Sequence, residues 1–206
     1  WYQKKGNKVF IAAVDCTGHG VPGAFMSIIG NSLLNEVINE IQNDDSPASI
    51  LNSLRMKIIS ALKQTGAENE SKDGMDMSIC SFDFENKKLM YSGANNPLYI
   101  IRNGKLIEIK ADKQPIGIYS GHQKPFTNHS FEALKGDCFY LFTDGYADQF
   151  GGEKGKKFLY TRFKELLISL SGKPMNKQHE EILKTFESWK TKTDQVDDVL
   201  VIGIKV

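Results

Sequence analysis

The segment Val9–Ser27, V-F-I-A-A-V-D-C-T-G-H-G-V-P-G-A-F-M-S, constrains the fold more than any other stretch. An apolar run from Val9 to Val14 stops at one carboxylate, Asp15. Three glycines follow (Gly18, Gly20, Gly23), with His19 between the first two, and Pro22 opens a long helical pattern. A short apolar run rich in β-branched residues and bounded by turn residues reads as a buried strand. Proline fits the first position of a new helix, where its missing N–H is not needed. Asp15 therefore ends a buried strand beside a backbone that glycine lets turn tightly, a place to hold an ion or a phosphate.

Around this segment the chain reads as α+β. Gly6-Asn7 predicts a hairpin feeding the central strand. Apolar residues at Phe25, Ile28, Ile29, Leu33, Val37, Ile38 and Ile41 predict an amphipathic helix that Asn43-Asp44-Asp45 ends. Ser46-Pro47 caps a second helix with the stripe Ile50, Leu51, Leu54, Ile58, Ala61 and Leu62. After the polar loop Thr65–Gly74 come strand-like segments only: Met75–Phe84, Lys88–Ser92, Leu98–Arg102, Lys105–Lys110, Phe126–Ala133 and Asp137–Thr143. Helical patterns return at Lys157–Ser171 and Asn176–Trp189, and Val199–Val206 reads as a closing buried strand. Helix pair, antiparallel strands, helix pair, strand is a pattern of sheets covered by helices.

Two further segments repeat the logic of Asp15. In Cys138–Asp148, C-F-Y-L-F-T-D-G-Y-A-D, an apolar strand ends at Asp144-Gly145. In Thr193–Val201, T-D-Q-V-D-D-V-L-V, the pair Asp197-Asp198 precedes the last strand. No Lys or Arg lies within four positions of Asp15 or Asp144. A carboxylate at the rim of a core is costly unless something compensates it. A hard divalent cation with oxygen ligands does so, and Mg²⁺ takes few carboxylates and keeps several waters. The bland alternative is that each Asp caps a turn, which suffices for any one of them. Three together argue for a metal centre.

Other residues are less specific. His19 reads as a ligand, a neighbour of the ligands, a proton donor or a structural turn residue. His122, His129 and His179 lie in polar sequence and read as surface residues. Asp76, in G-M-D-M-S, either faces the site or forms a strand-entry turn. Gly93–Pro97, with Asn95, either borders the substrate or is a structural turn. The glycines lack dinucleotide-binding spacing.

Composition excludes several classes. A net charge of +1 on 206 residues gives no field to recruit nucleic acid or anionic membrane. No apolar run reaches the roughly 18 residues of a spanning helix. Three cysteines without metal spacing (Cys16, Cys80, Cys138) read as reduced thiols of a cytoplasmic protein. The opening Trp1-Tyr2, without an initiator Met, reads as a domain cut from something longer.

The motifs V-D-C-T-G-H-G-V-P-G-A-F-M-S, G-M-D-M-S, Y-S-G-A-N-N-P-L, L-F-T-D-G-Y-A-D-Q-F-G-G and Q-V-D-D-V-L-V, in this order, resemble the bacterial SpoIIE/RsbU branch of the metal-dependent, type 2C-like serine/threonine phosphatases. The resemblance spans residues 1–206 and implies a four-layer α-β-β-α sandwich of two antiparallel sheets, with two Mn²⁺ or Mg²⁺ ions at one edge. Asp15 resembles the carboxylate that bridges both ions, and Cys16 the residue whose backbone carbonyl contacts the second. Asp144 matches the acidic ligand of the first, and Asp197, rather than Asp198, matches the last ligand. Gly18, His19, Asp76, Asn95 and Asp198 are left as neighbours of the ligands or on the substrate side. Family members carry a G-G-D-F-Y-like strand just upstream, with a further acid near the metals; Trp1-Tyr2 stands where the end of that strand falls, and the acid is missing only if nothing precedes Trp1. The implied partners are a phosphoprotein, such as an anti-sigma-factor antagonist, and an upstream sensor domain, with a homodimer left open. The alternative is a catalytically degenerate domain that binds a phosphoprotein or dimerises.

Overall fold

In the computed structural model, which describes residues 1–18, 20–41, 45–67 and 72–206, the elements follow the expected α+β order. They are β1 (Tyr2–Lys5), β2 (Lys8–Cys16), α1 (Gly20–Glu40), α2 (Pro47–Ala61), β3 (Met75–Asp83), β4 (Lys88–Ala94), β5 (Leu98–Arg102) and β6 (Lys105–Ile109). Then come β7 (His129–Glu132), β8 (Cys138–Phe142), α3 (Gly145–Asp148), β9 (Phe150–Gly151), β10 (Lys156–Lys157), α4 (Tyr160–Leu170), α5 (Met175–Lys190) and β11 (Val201–Lys205). Two compact units share the chain: residues 1–97 with 110–133, and residues 98–109 with 134–206.

The first unit holds an antiparallel sheet in the order β1-β2-β3-β4-β7. Gly6-Asn7 closes the β1–β2 hairpin, with Lys5 opposite Lys8 and Gly6 at positive φ. α1 and α2 cover this sheet through Phe10, Ala12, Leu34, Ile38, Ile50, Leu54, Ile58, Met77 and Ile79. Ser46 caps α2 by accepting a hydrogen bond from the Ser49 amide at 3.3 Å, with Pro47 in the first turn.

α1 departs from the expected pattern in two ways. It starts at Gly20, so Pro22 is its third residue; the first turn tolerates this because its N–H groups have no intrahelical partner. Its buried residues are Gly23, Met26, Gly30, Leu34, Val37 and Ile38, whereas Phe25 and Ile28 are exposed by 62% and 65%. Small residues bring this face close to the sheet: a Cβ on Gly30 would lie 2.7 Å from the Met75 Cε. Counting large apolar residues cannot see that. α1 ends at Glu40; Asn43 and Asp44, expected to end it, lie outside the described residues, and so does part of the Thr65–Gly74 loop. Ala61, expected in the α2 stripe, is exposed.

The second unit holds a four-stranded sheet in the order β11-β8-β5-β6, with α4 and α5 packed on it through an aromatic core of Tyr99, Tyr140, Phe142, Tyr146, Phe163 and Phe186. Asn103 and Gly104 both have positive φ, as the two-residue β5–β6 turn requires. Buried Asp137 takes a forked hydrogen bond from Arg102, with Nη2 at 2.6 Å and Nε at 3.0 Å. Corrections collect here. The closing strand is a partly exposed edge rather than a buried strand. Lys157 belongs to the short β9–β10 hairpin, and α4 begins at Tyr160. In the first unit, only His129–Glu132 of the expected 126–133 strand forms, and the His129 ring is half-buried, stacked on Phe131.

Candidate metal centre

In the first unit the sheet register does the positioning. Asp15, the penultimate residue of β2, lies directly opposite Asp76 of β3. Directly opposed residues of an antiparallel pair point to the same face with Cβ atoms about 4.5–5.5 Å apart, and like charges there repel. Both strands are interior to the sheet, and both carboxylates are half-buried. Asp76 is therefore a strand residue facing Asp15, not an entry turn. Asn95 donates from Nδ2 to Asp76 Oδ1 at 2.8 Å. It does so from a left-handed backbone (φ 60°), held by its amide on the Asp112 carbonyl at 2.9 Å. Burial pushes the Asp76 carboxyl up, against the Asn95 hydrogen bond and the charge of Lys113.

Beyond Cys16, the Thr17 amide bonds the Gly74 carbonyl and the Gly74 amide bonds Thr17 Oγ1, at 2.9 and 3.2 Å. Gly18 follows at φ 90°, and a Cβ on Gly23 would meet the Gly18 carbonyl oxygen at 2.5 Å. The contact excludes a side chain at Gly23, and the positive φ favours glycine at Gly18. Burial pushes the Cys16 thiol up, opposed by a hydrogen bond with Ser27 and reinforced by the charge of Asp15. A protonated thiol is neither a good nucleophile nor a good ligand. His19 lies outside the described residues.

In the second unit Asp144 follows β8 at the head of α3, its Oδ1 buried and its side chain making no cap bond to the helix. The exposed strap before β11 passes directly beside it. Thr143 Oγ1 donates to the Asp198 carbonyl and accepts from the Leu200 amide, both at 3.0 Å. Gly145 lies so close to the Asp198 carbonyl that a Cβ would collide with it. Asp197 and Asp198 are exposed, and Asp197 Oδ1 accepts from the Asp198 amide at 2.8 Å, so for Asp197 the turn reading holds in part. Thr143 and Gly145 were missed in sequence; their signal is that they flank Asp144 in T-D-G.

Within the first unit, the facing carboxylates of Asp15 and Asp76 are oxygen donors of the kind a hard divalent cation takes. Among the described residues, no three His, Cys, Asp or Glu side chains form a group able to hold an ion. Mg²⁺ is commonly held by one or two carboxylates plus waters, so a carboxylate pair such as Asp15–Asp76 suits it.

Residues 5–206 match the family model of stage II sporulation protein E. No curated protein sequence matches the chain. Among solved structures, the SiaA-PP2C domain of Pseudomonas aeruginosa is 28% identical with a TM-score of 0.88, over 100% of this chain and 79% of that one. The PP2C phosphatase domain of SpoIIE from Bacillus subtilis, solved with a fragment of its regulatory domain, is 15% identical with a TM-score of 0.76, over 100% and 58%. RsbX in complex with magnesium is 16% identical with a TM-score of 0.63, over 98% and 83%.

Proposed function

Because the chain belongs to the SpoIIE family, we propose that it is a metal-dependent phosphatase acting on phosphoserine and phosphothreonine of a protein in bacterial signalling. The observation that carries this reading is the Asp15–Asp76 pair, two half-buried carboxylates facing one another on interior strands. Such a pair is stabilised by a cation between or beside its members and strained without one.

In this reading Asp15, the Cys16 carbonyl, Asp144 and Asp197 hold two Mn²⁺ or Mg²⁺ ions. The magnesium named for RsbX supports the metal class by likeness of fold. Asn95 fixes Asp76 through one oxygen and leaves the other for a metal-bound water or the cation. Asp198 and Gly18 border the same chemistry through the strap and the glycine turn. The ions, when bound, lower the pKa of a coordinated water and neutralise charge on the phosphoryl oxygens. No side chain has to become a covalent nucleophile, which agrees with a Cys16 thiol that burial pushes up.

The partners that follow are a phosphoprotein substrate and a sensor region joined to this domain in a longer cytoplasmic protein. No helix among the described residues is long and apolar enough to cross a membrane. One observation favours a second reading, a phosphoprotein-binding domain without turnover: the absence, among the described residues, of a three-donor group. Phosphate release from phosphoserine, phosphothreonine and phosphotyrosine peptides with Mn²⁺ separates the two. The proposal expects release from the first two peptides; binding of them without release supports the second reading and overturns the first.

A further inference from the structure

Asp197 sits on a strap, residues 191–198, that is exposed throughout and belongs to no helix or strand. Such a segment does not hold a ligand in place by itself. Two side chains grip it, one on each side of Asp197. Thr143 takes the C-terminal side, at the Asp198 carbonyl and the Leu200 amide. Gln149 takes the N-terminal side. Its amide is fully buried and donates to the Asp194 carbonyl and the Phe150 carbonyl, each at 2.9 Å, with Thr193 Oγ1 at 3.5 Å. Its Oε1 accepts from the Val196 amide at 3.4 Å. Its donors and its acceptor thus both turn toward the strap.

Gln149 is itself held in place. Its carbonyl accepts from the Trp189 indole at 3.1 Å and from the Phe158 amide at 2.9 Å. The Gly152 amide bonds the Trp189 carbonyl at 2.8 Å, and Gly151 lies so close to that carbonyl that no Cβ fits. The β9–β10 hairpin is thus seated on the end of α5, and the seat delivers one buried amide to the strap.

We infer that Gln149 is a positioning residue: with Thr143 it fixes the strap on both sides of Asp197 and thereby sets the affinity for the divalent cation. Thr143 and Gln149 bracket Asp144 in sequence as their hydrogen bonds bracket Asp197, so the T-D-G-Y-A-D-Q segment carries one acid and organises the other. The inference rests on the assignment of Asp197 as a ligand. A supporting group that orients a metal ligand typically changes affinity by about 10–100-fold when removed.

The test compares wild type with Gln149→Met, which keeps side-chain volume and removes the hydrogen bonds. Mn²⁺ affinity is read from the paramagnetic resonance signal of free Mn²⁺, and amide exchange is read at Val196 and Leu200. The expected result is a dissociation constant raised at least about tenfold, faster exchange at Val196 and unchanged exchange at Leu200. Thr193→Val, on the exposed strap, serves if Gln149→Met does not fold, and is expected to weaken binding by about threefold. Wild-type affinity in the folded variant overturns this inference and leaves the phosphatase reading standing. A wild type that binds no Mn²⁺ overturns both.

Discussion

The acids of the two units are held in place by different means. Asp15 and Asp76 belong to a ladder: their strands pair along nine consecutive residues, Lys8–Cys16 against Met75–Asp83. Asp144 and Asp197 lie in connections, one at a strand–helix junction and one on an exposed strap. Backbone pairing in a sheet is distributed over many bonds, so no single side chain decides where Asp15 points. The strap depends on Thr143, Gly145 and Gln149, and each is a single point of failure. The difference teaches that the first unit holds its acids on a rigid ladder, whereas the second holds its acids on connections that single side chains adjust.

The largest effect expected is at a proposed ligand. Asp144→Asn should cut p-nitrophenyl phosphate turnover more than about 1000-fold, corresponding to several kcal/mol of lost charge stabilisation, with an unchanged circular dichroism spectrum. Retained turnover would remove Asp144 from the centre. In the first unit, Asp76→Asn should weaken Mn²⁺ binding by about 10–100-fold, measured by calorimetric titration. Wild-type affinity there would reduce the Asp15–Asp76 pair to a structural coincidence.

Gly145→Ala tests the strap of the second unit without touching an acid. The added methyl collides with the Asp198 carbonyl, so the strap must shift or the fold lose about 1–3 kcal/mol in thermal or urea unfolding. Unaltered stability together with unaltered Mn²⁺ affinity would show that the strap is not tied to Asp144. The smallest effect belongs to Asn95→Gly, which keeps the left-handed backbone and deletes the bond to Asp76. Loss of about 1 kcal/mol or less is expected, with Mn²⁺ affinity changed by only a few fold. A loss as large as that of Asp76→Asn would make Asn95 more than an orienting group.

Sequence patterns revealed local structure and missed what depends on distant partners. Ser46-Pro47 and Asn103-Gly104 announced a helix start and a hairpin because capping and turn geometry are decided within a few residues. Asp15 and Asp144 were visible as acids at the ends of apolar runs. Their surroundings were not. The facing of Asp76 to Asp15 follows from strand register, which no local pattern fixes, and the buried face of α1 includes the small residues Gly23 and Gly30, which a count of large apolar residues passes over. α3 and the β9–β10 hairpin, two to four residues long, are held by contacts such as Gly151 on Trp189 and carry no periodicity of their own.

The central claim, metal-dependent phosphate hydrolysis that runs through Asp15, is tested most directly by p-nitrophenyl phosphate turnover. Wild type and Asp15→Asn are each assayed with chelator, then with Mn²⁺ and with Mg²⁺ restored. Turnover in wild type that disappears with chelator, returns with metal and is absent from the variant is the predicted result. Turnover that survives chelation, or an Asp15→Asn variant as active as wild type, would contradict it.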